Sequence, residues 1–173
     1  MNDYVDDGTP VIPAVYDLLR ISYPNDRFGQ YTTAYDAVQI LFWDIMLNPP
    51  DFWLEGLADP LFIFRWKSEM DKLIRDQWWV LPNNYRAYIA PGCNHTILGF
   101  DDDFYESSLK PWIGSKQISF LDWLSAMTEE DGAERGDWRN LSCSFDRDCG
   151  EANLKPEGIG ACLARSYPLY FSM

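Results

Sequence analysis

Two residues in this sequence have types and spacing suited to acid–base chemistry. His95, the only histidine, lies in "APGCNHTIL" (Ala90 to Leu98), directly after the apolar run "YRAYIAPG". Asp36 lies in "AYDAVQ", 59 residues earlier. An imidazole can take a proton from a hydroxyl nucleophile and return it to a leaving group. A carboxylate beside it fixes the tautomer and stabilises the imidazolium. Each residue also has a plainer role available. His95 suits a turn, and Asp36 is a preferred N-cap for the helical run "AVQILFW". The two roles of Asp36 are compatible, because a capping carboxylate can also face a histidine.

The elements around these residues can be read from periodicity and punctuation. "VIPAVYDLLRISY" has helical spacing, with Val15, Leu18, Leu19 and Ile21 near one face. "RFGQYTTA" reads as a short strand. "YDAVQILFWDIML" reads as a helix packed on a sheet through Val38, Leu41, Phe42 and Met46, and "NPPDFW" breaks it. "DPLFIFRWKSEMDKLIRDQWW" predicts a long helix with Pro60 in its first turn. "NNYRAYIAPG" predicts a second strand closed by Pro91-Gly92. "SFLDWLSAMTEEDG" predicts a helix capped by Ser119, with Gly132 beyond its end. From Asp137 on, the composition predicts irregular structure. Strands alternating with helices imply an α/β fold with a parallel sheet. In such sheets functional groups gather at the carboxyl ends of the strands. Those ends carry Asp36 and His95. Two strands alone are too few for a self-sufficient sheet.

The 173 residues, 47% hydrophobic and 16% aromatic, suffice for one ordinary core. The formal net charge is −13, with no basic stripe, which removes the electrostatic footprint of nucleic-acid binding. The acidity is spread along the chain and reads as a solvated surface. The Asp101–Asp103 run lacks the spaced ligands and the glycine of a calcium loop. Four cysteines without a C-x-x-C pair, and a single histidine, argue against a zinc site, so the expectation is no metal and no cofactor. Cys143, Cys149 and Cys162 crowd into a loop-like end, which suggests a stapled tail from an oxidising compartment. The expected pairing is Cys149 with Cys162 and Cys93 with Cys143, with reduced thiols as the alternative. Cys93 is too close to His95 along one loop to be its nucleophile. Asn94-His95-Thr96 and Asn140-Leu141-Ser142 are glycosylation sequons, and Asn140 is the more credible acceptor. No stretch reads as a signal peptide or a membrane span.

"AYDAVQ" together with "APGCNHTIL" resembles the pectin acetylesterase/Notum family of α/β-hydrolases. The similarity extends over "YPNDRFGQYTTAYDAVQ", "YIAPGCNHTIL" and "FYESS…ISFLDWLSAM", in the right order, from about Val11 to Cys143. The order Asp then His matches the latter part of a Ser, Asp, His triad. The resemblance implies that Asp36 is the triad acid and His95 the base of a serine carboxylesterase. Its substrate would be an ester, either an acetyl ester such as an acetylated polysaccharide or another ester, and its parent protein would be secreted. Members of that family carry a Gly-x-Ser-x-Gly nucleophile elbow upstream of the acid. This sequence has none, and Gly114-Ser115 lacks the second glycine and follows the histidine. The expectation is therefore a partial α/β-hydrolase-like sheet with flanking helices over residues 1–136, the C-terminal part of such a domain. An irregular disulfide-stapled tail would follow over 137–173. Such a chain would be inactive without its N-terminal half. The rival reading is a non-catalytic relative or a carbohydrate- or partner-binding module using its aromatic surface.

Overall fold

The computed structural model describes residues 11–47, 59–80, 84–95, 108–109, 116–129, 136–143 and 149. Its centre is a three-stranded parallel sheet of order β1-β2-β5, made by β1 (Phe28–Thr33), β2 (Tyr85–Ala90) and β5 (Leu141–Ser142). β1 and β2 pair in register from Phe28 opposite Tyr85 to Thr33 opposite Ala90, and Leu141 lies opposite Tyr88. Four helices are described: α1 (Val11–Ser22), α2 (Ala37–Leu47), α3 (Pro60–Val80) and α4 (Phe120–Thr128). A two-stranded antiparallel ribbon joins β3 (Ser108–Leu109) to β4 (Ile118–Ser119).

Alternation along the strands sends Gln30, Tyr85 and Ala87 to one face and Tyr31 and Tyr88 to the other. On the first face the Tyr85 hydroxyl sits between the side-chain oxygens of Gln30 and of Gln77 on α3, 2.7 Å from the latter. One phenolic proton cannot serve both. Turning the Gln77 amide lets its otherwise unpartnered Nε2 donate to the phenol, while the phenol donates to Gln30. Burial, and Tyr16 of α1 beside it, push the Tyr85 phenol far above its ordinary range, so it stays a neutral donor. On the second face the rings of Tyr31, Tyr88, Phe120 and Trp123 pack with centroids 5.1 to 6.1 Å apart. The sheet therefore lies between α1 and α3 on one side and α4 on the other. Trp43 of α2 packs on Phe62 of α3, which puts α2 on the α3 side. A Cβ at Gly29 would come within 2.9 Å of the Trp123 ring and 2.6 Å of Met127 Sδ, so α4 approaches β1 as closely as glycine allows.

Local signals set the starts of α3 and α4. Asp59 Oδ1 accepts the Leu61 N–H at 2.9 Å, with Pro60 in the first helical position of α3. Ser119 Oγ accepts the Asp122 N–H at 3.0 Å to cap α4. The far end of α4 is closed from a distance. Arg27 Nη1 donates to the carbonyls of Ala126, Met127 and Glu129 at 2.7 to 3.1 Å. The stripe Ile63, Trp66, Met70, Ile74 and Gln77 turns α3 into the core at helical spacing.

Three expectations change. Val15, Leu18 and Ile21 are 50 to 64% exposed, and Tyr16 is the α1 residue that meets the sheet, through its ring contact with Tyr85. On α2, Phe42 and Met46 are exposed while Ala37, Val38, Ile40 and Asp44 are buried. That helix is apolar on nearly every face, so periodicity could not single out the packed one. The stretch after Asp137 is not wholly irregular. Leu141 and Ser142 form the third strand, Trp123 Nε1 donates to the Arg139 carbonyl at 2.8 Å, and Asn140 Oδ1 accepts the Ala87 N–H at 2.9 Å. The sequon asparagine therefore holds the edge of β2.

The disulfide pattern also differs. Cys143 bonds to Cys149, not to Cys93, so Cys149 is not paired with Cys162. Cys143 directly follows β5 and the Cys149 carbonyl accepts the Gly92 N–H; the two α-carbons lie 5.0 Å apart, within bridging range. Cys93 is also disulfide-bonded. Cys162, Gly132, Asp101–Asp103 and Gly114-Ser115 lie outside the described residues, as does the rest of the stretch after Cys149.

Candidate active site

β1 and β2 end side by side, and the two loops that leave them are tied together. Ala34 N–H donates to the Ala90 carbonyl at 2.8 Å, Tyr35 N–H to Gly92 at 3.0 Å and Ala37 N–H to Cys93 at 3.0 Å. Thr33 Oγ1 donates to the Asn94 carbonyl at 2.8 Å. Gly92 has φ +95°, a left-handed conformation that glycine adopts without a Cβ penalty, and this bend turns the chain toward Asp36. The Gly92 N–H, donated to the Cys149 carbonyl at 3.2 Å, pins the loop from its other side.

This framework brings Asp36 and His95 together. His95 Nδ1 lies 3.0 Å from Asp36 Oδ1 and 3.0 Å from Oδ2. The Asp36 side chain is wholly buried and that of His95 is 37% exposed. Asp36 also caps α2, since its Oδ1 accepts the N–H groups of Val38 at 3.1 Å and Gln39 at 2.9 Å. Gln39 Nε2 donates to Oδ2 at 3.1 Å. Burial raises the Asp36 pKa above the ordinary carboxylate value. The Gln39 N–H, the His95 hydrogen bond and charge, and the Val38 N–H oppose that rise without cancelling it.

With Nδ1 donating to Asp36, the Nε2 lone pair is left to accept a proton. Among the described residues no hydroxyl donates to His95 Nε2, and Cys93, being disulfide-bonded, offers no thiol. The same residues contain no cluster of three or more His, Cys, Asp or Glu that could hold a metal ion. No described helix is long and apolar enough to cross a membrane.

No family model, curated protein or solved structure matches this chain.

Sequence reasoning named both members of the pair but missed Thr33 and Gln39. A signal for Gln39 was present. Asp36-Ala37-Val38-Gln39 has the spacing of a capping box, an acidic or hydroxyl cap followed three residues later by Glu or Gln. Thr33 carries no such mark, because its role depends on where the second loop lies.

Proposed function

We propose that this chain is the acid–base portion of a serine carboxylesterase resembling the pectin acetylesterase/Notum family, hydrolysing an acetyl ester such as one on a polysaccharide. The observation that carries the reading is the Asp36–His95 contact at the carboxyl ends of adjacent parallel strands. Asp36 holds Nδ1 protonated, so Nε2 takes the proton of a serine hydroxyl as it attacks the ester carbonyl. The imidazolium then returns that proton to the departing alcohol, and the same sequence with water releases the acid.

The serine and the oxyanion-hole donors come from a companion segment. A place for such a segment is the outer edge of β1. Phe28 and Ala34 direct their N–H groups to β2, so Gly29 and Thr33 direct theirs away. Among the described residues no strand pairs with that edge. The exposed side chain of Val15, with Leu19, lines a cavity shared with Phe28 and Gly29 of that strand, and an edge of this kind is one that proteins normally cover. In this reading the parent protein is exported, and disulfides of the kind seen at Cys143 persist in oxidising compartments.

The test combines this chain with a companion polypeptide bearing the Gly-x-Ser-x-Gly nucleophile and follows p-nitrophenyl acetate hydrolysis. His95→Ala is expected to lower kcat by at least about 10³-fold with KM little changed. Unchanged turnover in that variant would sink the assignment. A second reading, a non-catalytic binding module, draws on the exposed rings of Trp79 (85%) and Phe42 (56%). It predicts oligosaccharide or partner binding that survives His95→Ala.

A further inference from the structure

We propose that Gln39 is a positioning residue for the Asp36–His95 pair: its side-chain amide fixes the rotation of the Asp36 carboxylate so that both oxygens face His95 Nδ1. The inference rests on the reading of Asp36 and His95 as a working pair.

The usual behaviour of a capping box makes the geometry informative. At the third helical position a Gln normally turns back and its amide oxygen accepts the backbone N–H of the cap residue. Gln39 instead donates Nε2 to the cap's carboxylate, at Oδ2. The backbone N–H groups of Val38 and Gln39 hold only Oδ1, so rotation about the Cβ–Cγ bond, which moves both oxygens, is restrained by them through that one oxygen alone. A swing would carry Oδ2 off the imidazole. The Gln39 amide adds a hold on the second oxygen, because Oδ2 is shared between Gln39 Nε2 at 3.1 Å and His95 Nδ1 at 3.0 Å. No other side chain among the described residues donates to Asp36 Oδ2 besides these two.

Gln39 also lines a cavity of about 380 Å³ with Tyr16, Gln30, Trp43, Trp66 and Glu69. The carboxylate is wholly buried, and Gln39 connects it to that space. Truncating the side chain would therefore mix two effects, a lost donor and an enlarged opening. Gln39→Met keeps the length and volume while deleting the donor. Gln39→Glu keeps the shape, suits the first turn of a helix electrostatically, and sets an acceptor against an acceptor.

A single histidine makes the experiment direct, because the ¹⁵N-labelled chain gives one imidazole. The readouts are the Nδ1–H proton resonance, its exchange with water and the tautomer ratio. Asp36→Asn and wild type serve as references, and thermal melting serves as the folding check. In both Gln39 variants the Nδ1–H proton is expected to exchange on the order of tenfold faster, as for one lost hydrogen bond to a charged group. The tautomer ratio should shift toward Nε2–H. Gln39→Glu should lose some stability, because its carboxylate faces that of buried Asp36, and it is read where thermal melting shows it folded. If both folded variants keep the wild-type exchange rate while Asp36→Asn changes it, the positioning role is wrong and the pair stands. If Asp36→Asn also leaves the resonance unaltered, the pair itself is not formed and the functional reading falls with it. A melted Gln39→Met leaves Gln39→Glu to decide.

Discussion

Replacing Asp36 by Asn separates what the carboxylate does for stability from what it does for His95. Asn caps a helix about as well as Asp, so the bonds to the Val38 and Gln39 N–H groups survive. The charge does not. Burial raises the Asp36 pKa in the folded chain above its value in the unfolded chain. The sign follows from proton binding. Between the unfolded and folded pKa values the native state holds more protons, so wild-type stability falls as pH rises through that window. Asn behaves like the protonated acid and does not titrate. The stability of Asp36→Asn relative to wild type should therefore rise from pH 4 upward and level off above the folded pKa. Each unit of the upward shift is worth about 1.4 kcal/mol of that rise. Urea unfolding of both proteins at a series of pH values from 4 to 8 reads it directly. The comparison is repeated in a His95→Gln background, which removes the titration of the imidazole. A difference that is flat with pH, or that moves against Asn, would refute the claim that desolvation outweighs the hydrogen bonds and the imidazole charge at this site. In any esterase assay the same substitution should lower kcat, so the carboxylate would be kept for chemistry at a cost in stability.

Two further outcomes follow from residues near the pair. Replacing Cys143 and Cys149 together by Ala opens a short loop of sequence separation 6, and chain entropy assigns that crosslink about 2 kcal/mol in chemical denaturation. The His95 imidazole resonance should broaden as well, because the Cys149 carbonyl no longer has a fixed place from which to hold the Gly92 N–H. A double variant as stable as wild type would show that the staple is incidental. Asn140→Ala strips the Ala87 N–H of its acceptor and should cost roughly 1–3 kcal/mol in urea unfolding. Asn140→Asp keeps an acceptor while destroying the sequon, and should stay close to wild type. Equal losses in both would mean that the amide nitrogen, or a glycan on it, matters more than the oxygen.

The sequence determined what depends on neighbours along the chain. Pro60 after Asp59 and Ser119 before Phe120 mark helix starts, because cap side chains reach only two or three residues. The runs 28–33 and 85–90 were legible as strands from their composition, and Pro91-Gly92 as the point that closes the second. His95 was legible as a candidate because it is the only histidine, and Asp36, one acid among many, because it ends a strand one crossover earlier in a block that carries the family resemblance.

The tertiary structure alone decided what depends on partners far along the chain. Which face of α1 and α2 is buried could not be read, since both carry more apolar residues than their packed faces use. Leu141 and Ser142 carry too short a pattern to announce a strand, and only the edge of β2 makes them one. The Cys143–Cys149 bond depends on how that strand ends, not on cysteine spacing. The 3.0 Å contact at the candidate site is of the same kind. It exists because the parallel register sets Thr33 opposite Ala90, which places two loops from distant parts of the chain within hydrogen-bonding range. Residue types along a chain can nominate an acid and a base. Strand register and the hydrogen bonds between the two loops put them in contact.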